Sequence, residues 1–125
     1  MKNVNIILLN LIWMFQVLLP AAPVVIAADF EKGVEAFQRG DFATALEEWK
    51  PLSEEGIPQA QNGLGYLYHS GSGLIQDYIK AAYWYKKAAE QGLALAQTNL
   101  GVMYEKGEGV AKDYIKAVYW YKKAV

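Results

Sequence analysis

Residues 60–89 read AQNGLGYLYHSGSGLIQDYIKAAYWYKKAA, and residues 96–125 read AQTNLGVMYEKGEGVAKDYIKAVYWYKKAV. Eighteen of the thirty aligned positions are identical at an offset of 36 residues. A fixed period of this length marks stacked supersecondary units, none of which can bury its apolar face alone. The offset also reaches backwards. Asp41 falls on Asp77, Ala45 on Ala81, Lys50 on Lys86, Glu54 on Glu90 and Gly56 on Gly92. Gly33 precedes Gly65 by 32 residues and Gly65 precedes Gly101 by 36. The first unit therefore has a shorter internal turn, Arg39-Gly40-Asp41 in place of Gly71–Asp77.

Each unit reads as two helices. Pro58 suits a first helical turn, where its missing N–H has no partner to lose. Gly71 and Gly107 follow the first helices, where a left-handed residue ends the helix, and Gly73 and Gly109 belong to the same turns. Asp77 and Asp113 stand where a carboxylate accepts from the free amides of the second helices. The sequence predicts helices near 30–39, 42–55, 58–70, 78–91, 94–106 and 114–125.

The repeated residues are those that two packed helices need. Gly65 and Gly101 lie inside helices, where glycine costs up to ~1 kcal/mol relative to alanine, so a side chain there is expected to block helix contact. Ala81 and Ala117 are small for the same reason. Trp84-Tyr85 and Trp120-Tyr121 supply bulk, and Trp84→Ala is expected to cost about 3–5 kcal/mol as loss of a buried aromatic. Leu64 with Tyr68, and Leu100 with Tyr104, are pairs four apart on one helix face. Most aromatics recur with the period of the scaffold, which favours packing over a ligand cage.

The succession A-x-x-x-L-G-x-x-Y-x-x-G-x-G, then D-Y-x-K-A-x-x-W-Y-x-K-A, resembles the Sel1-like repeat, a relative of the tetratricopeptide repeat. The resemblance covers residues 58–93 and 94–125. Residues 29–57, with Gly33, Gly40, Ala45 and Trp49, look closer to a tetratricopeptide hairpin. It implies an all-α fold, a right-handed α-solenoid of about three antiparallel hairpins, serving as an adaptor or scaffold in the bacterial envelope. Some exported relatives carry a disulfide in each repeat and have been described as β-lactamases or penicillin binders. This chain has no cysteine. Residue 125 also falls before the Glu-Gln-Gly ending of the earlier repeat, so a longer array is expected, or else self-association through an open C-terminal face around Val118 and Tyr119.

Residues 1–28 differ from the rest. Lys2 is followed by an apolar run, Ile6–Leu19, and then by small residues to Ala28. This is the pattern of a signal peptide cleaved after Ala27 or Ala28, which places the mature protein in the periplasm or outside the cell. The competing reading is a retained membrane anchor. The apolar run is 14 residues long and contains Asn10 and Gln16, against the roughly 20 predominantly apolar residues that a span requires, and Pro20 and Pro23 interrupt any extension.

A net charge of −1 gives no basic footprint for nucleic acid. His69 is the only histidine and reads as an exposed residue at a helix end. None of Ser53, Ser70 and Ser72 is followed three residues later by lysine, as serine β-lactamase chemistry requires. The glycine pairs lack the Lys-Ser/Thr ending of a phosphate loop. No enzyme activity, cofactor or metal is expected, and the partner is another protein or peptide. First-helix positions that differ between repeats include Asn62/Thr98, Tyr66/Val102, His69/Glu105 and Ser70/Lys106. In tetratricopeptide relatives this face lines the concave groove, so the resemblance makes these eight residues the candidate partner site, with Tyr66 as its aromatic anchor.

Overall fold

Alanine and glycine at fixed positions let six helices pair closely in the computed structural model, which describes residues 22–125 and side chains from residue 29. The helices are α1 (Ala22–Gln38), α2 (Phe42–Glu54), α3 (Pro58–Ser70), α4 (Tyr78–Glu90), α5 (Ala94–Lys106) and α6 (Tyr114–Ala124). No strand occurs among the described residues. Substantial contacts run only between helices consecutive in the chain. This is the quasi-linear organisation of a solenoid, whose stability comes from each hairpin and its neighbour.

The first helix differs from expectation. It begins at Ala22 and not near residue 30, because no helix breaker intervenes once Pro23 occupies its first turn. The expected cleavage positions fall inside α1. The charged start and apolar run of the expected signal segment, through residue 21, lie outside the described residues. Among the described residues no helix is long and apolar enough to cross a membrane.

Local chemistry fixes the other boundaries. Asp41 accepts from the Thr44 amide, Asp77 from that of Lys80, and Asp113 from those of Ile115 and Lys116, at 3.0–3.2 Å. Each satisfies backbone donors that the first helical turn leaves free. Gly71 and Gly107 close α3 and α5 in the left-handed region, at φ of 70° and 72°. The turn glycines two residues later have a second reason to lack a side chain. A Cβ on Gly73 would meet Phe42, and one on Gly109 would run into the Tyr78 carbonyl oxygen. Each long turn thus rests on the start of the preceding unit's second helix.

The interior glycines work through one ring position. A Cβ on Gly65 would stand 2.7 Å from Tyr85, and one on Gly101 would stand 2.6 Å from Tyr121. The ring against each glycine is therefore the tyrosine of each Trp-Tyr pair, and in the last unit Trp120 is buried, as expected. Tyr85 is 3% exposed, whereas Trp84 is only half-buried, which corrects the expectation for Trp84. The reason is helical register. Tyr85 follows Ala81 by four residues and faces inward with Ala88 and Ala89. Trp84 sits at the edge of that face, with the Lys87 ammonium 5.8 Å from its ring centroid.

Two buried glutamines join successive units. Gln61 donates to the Ser53 carbonyl and Gln97 to the Ala89 carbonyl, both at 3.1 Å. Each side chain supplies a donor to the last turn of the preceding helix, where carbonyls lack helical partners. Gln61 also accepts from Gln91 at 2.8 Å. Apolar packing forms one cluster around Trp49, Leu52 and Leu67 and another around Tyr85, Leu100, Met103 and Trp120.

Candidate functional site

Trp49 lies between two glycines. A Cβ on Gly33 or on Gly63 would strike its indole, from α1 on one side and α3 on the other. Its Nε1 donates to the Phe30 carbonyl at 3.2 Å. Phe37 packs against Trp49 at 5.8 Å between centroids and meets Tyr66 edge-on at 5.5 Å. With no side chain at Gly63, the aromatic wall opens as a groove of about 430 Å³, lined by Phe37, Trp49, Asn62, Gly63, Tyr66, Leu95 and Asn99. Residues from α1, α2, α3 and α5 thus meet in one depression.

Tyr66 is 44% exposed and Leu95 60% exposed, so the groove offers apolar surface to solvent. Polar character comes from an amide pair. Asn99 Nδ2 donates to Asn62 Oδ1 at 3.0 Å, and neither side chain makes another hydrogen bond among the described residues. The pair retains amide donors on Asn62 and a carbonyl acceptor on Asn99. A donor and an acceptor beside an apolar wall match the edge of an extended peptide, whose N–H and C=O alternate with its side chains.

The eight candidate residues do not form one surface. Asn62 and Tyr66 line the groove. His69 points elsewhere. It is half-buried, its Nε2 is 2.7 Å from Glu108 Oε2, and its ring lies 5.1 Å from that of Tyr78. The expected exposed histidine is therefore an inter-repeat contact, tying the end of α3 to the turn after α5. Ser70 donates within its own helix to the Tyr66 carbonyl at 2.9 Å, and its hydroxyl oxygen lies 2.8 Å from that of Ser72 in the following turn. Thr98 is exposed and bonds back to the Ala94 carbonyl. Val102 is half-buried and Lys106 exposed. Glu105 accepts from Tyr121 at 2.6 Å. Burial, then the Glu105 carboxylate, pushes the Tyr121 hydroxyl up to about 12. Burial likewise raises the Tyr85 hydroxyl.

Phe37, Trp49, Gly63, Leu95 and Asn99 were not among the candidates. Gly63 and Asn99 occupy one repeat position, and that difference was a usable signal. The aromatic contribution of the first hairpin left no comparable mark. Of the three serines singled out, Ser53 is 1% exposed and donates to the Trp49 carbonyl at 2.7 Å. Among the described residues no group of three or more His, Cys, Asp and Glu side chains is placed to hold a metal.

A family model for the Sel1 repeat matches residues 58–93 and 94–125. A Sel1 repeat protein from Oxalobacter formigenes has a similar structure, with a TM-score of 0.75 and 37% identity over 79% of each chain. A protective antigen present in uropathogenic Escherichia coli strains, displaying an SLR fold, gives a TM-score of 0.75 and 35% identity. That match covers 83% of this chain but 23% of the antigen, so this chain corresponds to under a quarter of its length. No curated protein matches the sequence.

Proposed function

This chain belongs to the Sel1 repeat family, and we propose that it is an exported adaptor whose groove holds an extended, apolar segment of another protein. Helical repeats of this family generally act as non-catalytic scaffolds that bind proteins. The observation that carries the specific reading is the junction of Phe37, Trp49, Tyr66 and Leu95 with the Asn62–Asn99 pair. An inserted apolar side chain would displace water from the aromatic wall. The amides would fix the direction of the ligand backbone, so affinity and orientation come from different groups.

Selection from a displayed random-peptide library tests this reading. Peptides with apolar residues at alternate positions are expected to be enriched. Tyr66→Ala with Asn99→Ala is expected to weaken their binding by over about tenfold, as for an aromatic hot spot, while stability changes by under about 1 kcal/mol. Binding that survives the double variant would remove the site from this groove. Export rests on residues 1–28, and N-terminal mass measurement of the cell-envelope protein tests it. A start near Asp29 is expected, and a start at Met1 would favour the tethered form.

A further inference from the structure

The outer sides of α4 and α6 repeat a pattern that helix packing does not use. Ile79 precedes Tyr83 by four residues, and Lys86 and Lys87 follow Tyr83 by three and four, so all four border one face of α4. Ile115, Tyr119, Lys122 and Lys123 repeat that face on α6. The isoleucines are 73% and 84% exposed, and the tyrosines 53% and 50%. The interior helix α4 shows the same exposure as α6, so the pattern is not peculiar to the last helix. Lys87 stands 5.1 Å from the Tyr83 ring and Lys123 stands 5.0 Å from the Tyr119 ring, which joins cation and aromatic in one unit.

The first hairpin lacks this face. Its corresponding residues are Ala43, Glu47, Lys50 and Pro51. Charge is divided in the same way. Residues 29–57 hold 8 acidic and 3 basic residues, while residues 58–125 hold 5 acidic and 8 basic ones. The acidic groups near the patterned face are few. Glu90 lies 3.9 Å from Lys86, and Asp77 and Asp113 are occupied as helix caps.

We propose that the outer face of α4 and α6 docks on a bilayer surface that contains anionic phospholipid. Lysines in two clusters supply attraction to a negative leaflet. Tyrosines favour the headgroup level, and the isoleucines beside them can enter the boundary of the acyl chains. An acidic protein surface would match the charge, but lysine is depleted from the centres of protein interfaces. Here lysines are interleaved with the apolar residues. The groove is formed largely by the first helices of each hairpin, so a docked protein keeps it available to a partner. The proposal stands independently of what that groove binds.

Sedimentation of the full-length protein with sucrose-loaded vesicles tests the proposal. One set is pure phosphatidylcholine and the other contains phosphatidylglycerol as well. The apolar run Ile6–Leu19 can bind lipid of either kind, so the readout is the ratio of partition between the two sets. A ratio of about tenfold or more is expected at low salt, collapsing at high salt as the attraction is screened. Replacing Lys86, Lys87, Lys122 and Lys123 together by glutamine should bring the ratio near one, without changing helicity or binding to neutral vesicles. The corresponding arginine variant should retain it. A ratio near one in the unmodified protein would overturn the proposal and assign this face to an acidic protein. A ratio that is insensitive to salt, or unchanged in the glutamine variant, would overturn it as well.

Discussion

The first hairpin and the two that follow place different aromatics at the same point. Trp49, Tyr85 and Tyr121 are separated by 36 residues each, and each ring covers a glycine of its own first helix, Gly33, Gly65 or Gly101. The indole is larger than a phenol ring, and the next unit makes room for it with Gly63 where the following repeat has Asn99. One enlarged residue is thus matched by one deleted side chain across a hairpin boundary. The same exchange produces the groove, because Trp49 and Gly63 both line it. The departure from the repeat, and not the repeat itself, locates the candidate site.

The largest effect should come from removing the enlarged ring. Trp49→Ala is expected to cost about 3–5 kcal/mol in denaturant unfolding, whereas Trp84→Ala should cost under about 2 kcal/mol because its ring is already half solvated. Equal losses would break the distinction between the two tryptophans. Next, Gly63→Asn should cost about 1–3 kcal/mol by overpacking against Trp49. Combining it with Trp49→Tyr should recover part of that loss. A double-mutant cycle with no coupling would show that the two sites adjust independently.

Gln97→Ala removes a clasp that both junctions share and should cost about 0.5–1.5 kcal/mol, the worth of one hydrogen bond, because the Ala89 carbonyl keeps the Gly92 amide as a donor. Gln61→Ala should cost more, since Gln91 loses a partner too. The reverse order would mean that the second junction relies on its glutamine more heavily. The smallest effect concerns the short turn of the first hairpin. Bonds from Thr44 hold the Asp41 carboxyl below its ordinary value of 3.8. Its contribution is therefore present above that value and is lost as pH falls through the lower, folded one. Asp41→Asn, which can still cap α2, should flatten this acid-side loss and leave stability at neutral pH nearly unchanged. An identical acid profile would show that the cap's charge contributes nothing.

Spacing alone was enough to place the two helices of each later repeat, their capping aspartates and the paired small and bulky residues, because these depend on contacts within a helix or one hairpin. The start of α1 was less legible, since Ala22–Ala28 has a small-residue composition that fits both a cleavage region and a helix. The eight candidate residues were chosen by their differences between repeats. That choice includes Asn62 and Tyr66, which line the groove, but could not detect that His69 is held by Glu108 or Glu105 by Tyr121.

What the sequence by itself determined was the period and, within each helix, which residues share a face. Only the tertiary structure decided how those faces meet. Tyr85 and not Trp84 turns inward, and Phe37 and Asn99, 62 positions apart, border one groove. The physical reason is that helical geometry fixes the angle between side chains on one rod, while the rotation of each rod against the next is set by non-local packing. At the first junction that packing is an indole held between two glycines.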